Sequence, residues 1–292
     1  MTGQLTSFLT LLSFYTILVI SANLTVGMAN LLTLCQAAFC GVGAYLSAFL
    51  LMHWNLPFLV VALAVMLVTG LSSLFVSLAS IRLKGDYFVL ATLAFQIIVY
   101  QILYNWTPVT GGPYGTGGFE RIKLFGAVSL DSSWAFAVFA LLMAFVSVLF
   151  VAALHRSPFG RLLQAIRTDD KAVEALGYDV SRLKTRVFFL SAAISGLAGL
   201  LYAAYHQYVE PTAFSTSESL TIITALFLGG IGRWRGSVFG ALIIVLLPEI
   251  LRAIGVDAGM ADSLKQIVYG LLLIGILFVR PQGLMGEKRQ SL

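Results

Sequence analysis

The sequence predicts an all-α, polytopic transmembrane bundle of about nine spans, with eight to ten compatible, and three observations carry that reading. Hydrophobic residues fill 59% of the 292 positions and charged residues only 11%, with a mean hydropathy of +0.93; a soluble domain carries about a quarter charged residues. No Asp, Glu, Lys or Arg occurs between Met1 and Ile81, and water would solvate so long an apolar run poorly. Apolar segments of crossing length then recur to the C-terminus, with Lys and Arg gathered in alternate connections.

Taking about 20 apolar residues per crossing, spans are expected near 5–23, 27–51, 57–81, 87–106, 134–154, 187–205, 217–232, 236–254 and 264–280. The first segment lacks a basic leader and a small-residue cleavage site, so it reads as a retained span. Asn23, Thr25, Asn30 and Thr33 break the apolar pattern there, and the seventh segment is short, which leaves room for broken or re-entrant helices. Ala192 with Gly196, Ser195 with Gly199 and Gly236 with Gly240 pair small residues four apart, a spacing that lets helices approach closely or arises by chance in apolar sequence. Cys35 and Cys40 sit inside an apolar segment and read as packing residues. The whole chain, 1–292, reads as one membrane domain with two larger connections, 155–186 and the Gly-rich 107–133.

Cytoplasmic connections retain positive charge during insertion. Placing 82–86 inside puts 14 of the 18 basic residues on that side: Arg82 and Lys84, seven between Arg156 and Arg186, Arg233 and Arg235, and Arg280, Lys288 and Arg289. Glu210, Glu218, Asp257 and Asp262 then fall in the opposite loops, with Arg121 and Lys123. The N-terminus is expected outside and the C-terminus inside. The net charge of +5 is distributed by topology rather than in a patch, which argues against a nucleic-acid partner and for the lipid bilayer.

The connection from Ser157 to Asp179 reads as two short helices. Ser157 suits a cap with Pro158 at the first helical position; Thr168 or Asp169 suits the second cap, and Gly177 a left-handed stop. Leu162, Leu163 and Ile166, then Ala172, Val173 and Leu176, provide apolar faces beside charge. Such faces fit docking on a partner or lying on the membrane surface between two spans.

Ser157 to Gly177, followed by Leu190-Ser-Ala-Ala-Ile-Ser-Gly196-Leu-Ala-Gly199-Leu-Leu-Tyr202, closely resembles the permease family of high-affinity branched-chain amino acid import, in particular its longer, M-type member. Leu83-Lys-Gly-Asp86-Tyr87, Thr110-Gly-Gly-Pro113-Tyr-Gly115, Leu228-Gly-Gly230-Ile-Gly232-Arg-Trp-Arg-Gly236 and Arg280-Pro-Gln-Gly283-Leu match it in order. One block departs: in Ala29-Asn30-Leu-Leu-Thr33-Leu-Cys35-Gln36-Ala-Ala-Phe39, Asn30, Thr33 and Cys35 stand where the family usually has Gln, Ser and Gly. Polarity is kept, while backbone freedom at Cys35 falls.

The resemblance implies one half of a heterodimeric pore in a bacterial inner membrane, fed by a periplasmic binding protein and driven by two cytoplasmic ATPases. ATP and Mg would then bind the ATPases and no cofactor would bind this chain, which has no GxxxxGK[ST] phosphate loop. The resemblance makes 157–179 the coupling region, with Arg161, Arg167, Asp169, Asp170, Glu174, Leu176 and Gly177 at the ATPase interface. Polar residues expected at membrane depth are Asn30, Thr33, Gln36, Gln96, Tyr100, Gln101, Tyr104 and Asn105. They suit interhelical hydrogen bonds or a translocation path, Gln96–Tyr100–Tyr104 and Gln101–Asn105 each following one helix face.

No catalytic set is apparent, and His53, His155 and His206 fall at separate span ends, which argues against a metal site. A self-contained secondary transporter would need a buried acid, whereas Glu249 and Arg252 lie near span ends. Urea, amides or other amino acids are the alternative cargoes within the family.

Overall fold

The computed structural model describes residues 2–54, 56–80, 83, 85–119, 132–253 and 258–279. Arg82, Lys84, Arg121, Lys123, Asp257 and the block from Arg280 onward lie outside the described residues.

The first helix, α1 (Thr2–Ala22), continues into a π-turn at Asn23–Met28, giving one span from Gly3 to Met28. Gly27 is required in that turn, because a Cβ there would fall 1.8 Å from Asn23 Oδ1. Helix ends at Asn30, whose φ of 54° is a left-handed value that asparagine tolerates. Residues 30–35 are non-helical, and α2 (Gln36–Trp54) begins only at Gln36. This corrects the expected span at 27–51: its start belongs to the first helix, and the polar residues Asn30 and Thr33 fall in the break.

Next come α3 (Phe58–Ser80), α4 (Asp86–Asn105), the single turn α5 (Thr107–Thr110), β1 (Thr116–Gly117) and α6 (Ser133–Arg156). Two short helices, α7 (Pro158–Thr168) and α8 (Asp170–Ala175), lead to α9 (Val180–His206) and β2 (Tyr208–Val209). The chain ends with α10 (Thr216–Gly229), α11 (Trp234–Ala253) and α12 (Ala258–Val279).

Among the described residues, seven helices are long and apolar enough to cross a membrane: α1 with its π-turn, α2, α3, α4, α6, α9 and α11. The expected seventh span, 217–232, is instead the 14-residue α10. At about 1.5 Å per residue it reaches about 21 Å, short of the roughly 30 Å hydrocarbon layer. The preceding turn, Pro211–Phe214, folds into the bundle and buries Phe214.

The core centres on α9, buried without interruption from Ser191 to Leu201 and packed on α2 and α3. A Cβ on Gly199 would fall 2.0 Å from the Cys40 carbonyl oxygen, so the Ser195–Gly199 seam is a contact with α2; Gly240 meets the Ala225 carbonyl of α10 in the same way. The first span packs among α6, α9, α10 and α11. Leu59, Leu63, Leu67, Leu71, Phe75 and Leu78 form an exposed stripe along α3, an apolar face suited to lipid rather than water.

Candidate translocation and coupling sites

Two polar knots hold the broken helices together. In the first, Gln36 at the start of α2 donates from Nε2 to Ser191 Oγ (3.0 Å) and accepts at Oε1 from Ser195 Oγ (2.6 Å). The Ser191 hydroxyl donates to the Ser21 carbonyl at 2.7 Å, and the Ser21 and Ser195 hydroxyls lie 2.8 Å apart. Thr33, fully buried, lies 3.5 Å from the Thr25 hydroxyl. Every polar atom of the Gln36 amide is thereby engaged, which rigidifies the junction.

Gln96 forms the second knot. Its Oε1 accepts from Ala38 N (2.7 Å) and Ser219 Oγ (3.0 Å), and its Nε2 donates to the Phe214 carbonyl (2.8 Å). Ser219 Oγ also accepts from Ala37 N at 3.1 Å, and Leu34 N donates to Thr92 Oγ1 at 3.2 Å. The first N–H groups of α2 have no partners within their own helix. Here α4 and α10 supply them from side chains.

The residues expected along one path therefore separate. Thr33, Gln36 and Gln96 are buried in helix junctions, and Asn30 is exposed at the break. Tyr100 and Tyr104 stack with ring centroids 5.9 Å apart. Gln101 and Asn105 lie on the exposed face of α4, where Asn105 Nδ2 donates to Gln101 O (2.8 Å) and Oε1 (3.1 Å). Sequence reasoning missed Ser21, Ser191 and Ser219 as members of the Gln36 and Gln96 knots and read Ser195 only as part of a close-packing seam; that serine of α9 was the available signal.

Glu218 is also corrected. Rather than an outer loop, it occupies the first turn of α10, beside the Ser219 that bonds Gln96, and the Tyr15 hydroxyl hydrogen-bonds its carboxylate. It lines a cavity of about 930 Å³ with Gln4, Ser7, Tyr15, Glu249 and Tyr269. A second cavity, about 660 Å³, lies between residues 29–32, α4, α8 and α9, lined by Asn30, Asp86, Asp170, Lys171, Glu174 and Lys184.

The connection between α6 and α9 is built from local capping. Ser157 Oγ accepts from Gly160 N at 3.1 Å. Asp169, rather than Thr168, caps α8, accepting from Lys171 N (2.9 Å) and Ala172 N (3.3 Å). Gly177, with φ of 86°, closes the helix as Tyr178 N donates to Val173 O and Gly177 N to Glu174 O. Leu163, Ile166 and Val173 are buried against the bundle. The apolar face expected for α8 is split, however: Ala172 is exposed, and Leu176, past the last turn, is 75% exposed.

Arg161, Asp169 and Glu174 are exposed. Asp170 pairs with Lys184 of α9, its own side chain still 43% exposed. Arg167 is half-buried with its guanidinium against Gly232, where an added Cβ would meet Nη1 at 2.6 Å. At the other end of the bundle, the Gly-rich segment as far as Phe119 folds over α4, and Thr116 and Gly117 pair antiparallel with Val209 and Tyr208.

The chain matches the family described as branched-chain amino acid transport system, permease component, over residues 4–277. It is 31% identical to the high-affinity branched-chain amino acid transport system permease protein LivM of Salmonella typhimurium (strain LT2), over 97% of this chain and 70% of the relative. LivM of Escherichia coli (strain K12) is 30% identical with the same shares. The ribose import permease protein RbsC of Escherichia coli (strain K12) is 28% identical over 64% of this chain and 59% of its own length. No solved structure matches. A match that begins in α1 and runs into α12, over a polytopic apolar bundle, places this chain in the permease-component family of branched-chain amino acid transport systems.

Proposed function

We propose that this chain is one half of the translocation path of a binding-protein-dependent importer in a bacterial inner membrane, carrying leucine, isoleucine and valine. The family match over residues 4–277 carries the reading. A second permease subunit completes the path, a periplasmic binding protein delivers the cargo, and two cytoplasmic ATPases hold the ATP and Mg. The basic asymmetry of the sequence supports an outside N-terminus and a cytoplasmic α7–α8.

In this reading α7 and α8 seat on the ATPase. Capped short helices transmit a rigid-body displacement, which a floppy loop would absorb. The exposed Arg161, Asp169, Glu174 and Leu176 face the ATPase, Asp170 and Arg167 anchor the helices to the bundle, and Gly177 ends α8. Thr33, Gln36 and Gln96 hold the wall of the path in place, while Asn30, Tyr100, Gln101 and Asn105 remain available to line it or to meet the second subunit.

The double variant Leu176→Asp, Gly177→Val tests the coupling assignment. An added Cβ at Gly177 has open space around it, so the cost there is backbone strain at the helix stop rather than collision. The variant should insert and pair normally but lose ATPase recruitment, or the stimulation of hydrolysis by loaded binding protein. Normal transport at normal protein level would refute it. Uptake of labelled leucine by the assembled complex, competed by isoleucine and valine but not by ribose or urea, tests the cargo.

A secondary transporter is the second reading, favoured by Glu218 in its cavity. Uptake by the reconstituted complex that persists without ATP and ceases in Glu218→Gln would support it.

A further inference from the structure

The end of α6, the face of α7 and the α10–α11 turn meet the π-turn of the first span in one continuous chain of contacts. His155, in the last turn of α6, lies with Nε2 3.1 Å from the Gly232 carbonyl oxygen. A carbonyl only accepts, so Nε2 carries the proton toward Gly232; Gln164 Nε2 of α7 lies 3.1 Å from that nitrogen and 3.3 Å from Nδ1, and of the two only Nδ1 can accept from it. Gly232 N donates to Asn23 Oδ1 at 3.0 Å, and Asn23 Nδ2 donates to Ser237 Oγ of α11 at 2.8 Å. Arg167, three residues after Gln164 and so on the same face of α7, also lies against Gly232. Gly232 has a φ of 89°, a conformation that suits glycine, and Asn23 is buried.

We propose that His155, Gly232 and Asn23 form the joint that carries displacement of α7 into the first span, which makes His155 and Asn23 positioning residues for transport. This rests on the proposed docking of α7 and α8 on an ATPase. The route has a direction set by the fold. Asn23 opens the π-turn; the chain breaks two residues after that turn, and Gln36 restarts the helix on the Ser191 and Ser195 hydroxyls. A shift at Gly232 therefore reaches the π-turn beside the 30–35 break, where helix is already interrupted. Rigid contacts on both sides of a break turn a small displacement into a choice between discrete arrangements.

The experiment uses the assembled transporter containing this chain, measuring leucine transported per ATP hydrolysed together with co-purification of the ATPases. His155→Leu removes both ring contacts, while His155→Gln keeps an amide donor for Gly232. Coupling energies typically correspond to 5–150-fold effects, so the transport-to-hydrolysis ratio should fall about tenfold in His155→Leu and return to within about twofold of normal in His155→Gln. Gln164→Leu, which disturbs only the α7 side, should lower the ratio about threefold on the same scale. Should His155→Leu fail to accumulate, Gln164→Leu and His155→Gln decide by the same ratio.

A normal ratio in His155→Leu, or in Gln164→Leu where that variant decides, overturns the joint. A reduced ratio that His155→Gln does not restore also overturns the hydrogen-bonded route. Loss of ATPase recruitment or of stimulated hydrolysis in Leu176→Asp, Gly177→Val with a normal ratio in His155→Leu sinks the joint alone; normal recruitment together with normal stimulated hydrolysis and transport in the former sinks the docking reading beneath it.

Discussion

Replacing Gln96 by leucine keeps most of the side-chain volume and removes three hydrogen bonds at once, to Ala38 N, Ser219 Oγ and the Phe214 carbonyl. The Ser219 hydroxyl can rotate to another acceptor. The Ala38 N–H and the Phe214 carbonyl are backbone groups fixed by the start of α2 and by a buried turn. Leaving a buried donor or acceptor unsatisfied costs about 1–3 kcal/mol, so the two backbone groups give about 2–6 kcal/mol. Interhelical hydrogen bonds inside membranes average about 0.6 kcal/mol, which puts a floor near 2 kcal/mol for three of them. About 4 kcal/mol is the expected loss, and at about 2 °C per kcal/mol for a large chain the thermal midpoint should fall by about 8 °C. The assay is thermal unfolding of purified protein in a mild detergent, with Gln101→Leu as the control. Gln101 is exposed and, among the described residues, bonded along its own helix, so its loss should leave the midpoint within about 1 °C. A fall of less than about 2 °C for Gln96→Leu would show that the second knot does not hold the helix break.

Gly199→Val places a Cβ 2.0 Å from the Cys40 carbonyl oxygen, so it should abolish folded protein in detergent extracts; full yield of a monodisperse variant would refute the α2–α9 contact. With Cys35 and Cys40 replaced, a single cysteine at position 170 should resist impermeant thiol reagents in intact cells and react in inverted vesicles; labelling from the outside would overturn the topology. Purified alone in liposomes, the chain should neither hydrolyse ATP nor take up labelled leucine, and saturable uptake without partner subunits would remove the ATP-driven reading.

What the sequence reveals depends on how far apart the interacting residues are. Ser157 with Gly160, and Asp169 with Lys171 and Ala172, are contacts within three positions, so their chemistry is readable from residue type and spacing. The family blocks and basic asymmetry are similarly direct. Gln36 and Gln96 were recognisable as polar groups at membrane depth, but their partners are 155 and 123 residues away, at Ser191 and Ser219. Only the packing decides whether such a side chain faces a path or a neighbouring helix. Asp170 shows the same limit on a surface: its charge is readable from the sequence, whereas its ion pair with Lys184 is not. The break at 30–35 left its trace in Asn30 and Thr33, yet its position between two helices required the π-turn to be seen.

The shortness of α10 bears on how the chain enters the membrane. A 14-residue helix is too short to be held across the bilayer by its own hydrophobicity. Its glycine-lined contact with α11, at Gly229, Gly236 and Gly240, gives it a neighbour before synthesis of the chain is complete. Insertion of the two as a hairpin, with α11 supplying the length that α10 lacks, is the expected outcome. Damage to this seam would then strand α10 outside the bilayer, a fault that would surface as altered protease accessibility around residues 210–216 in newly made protein.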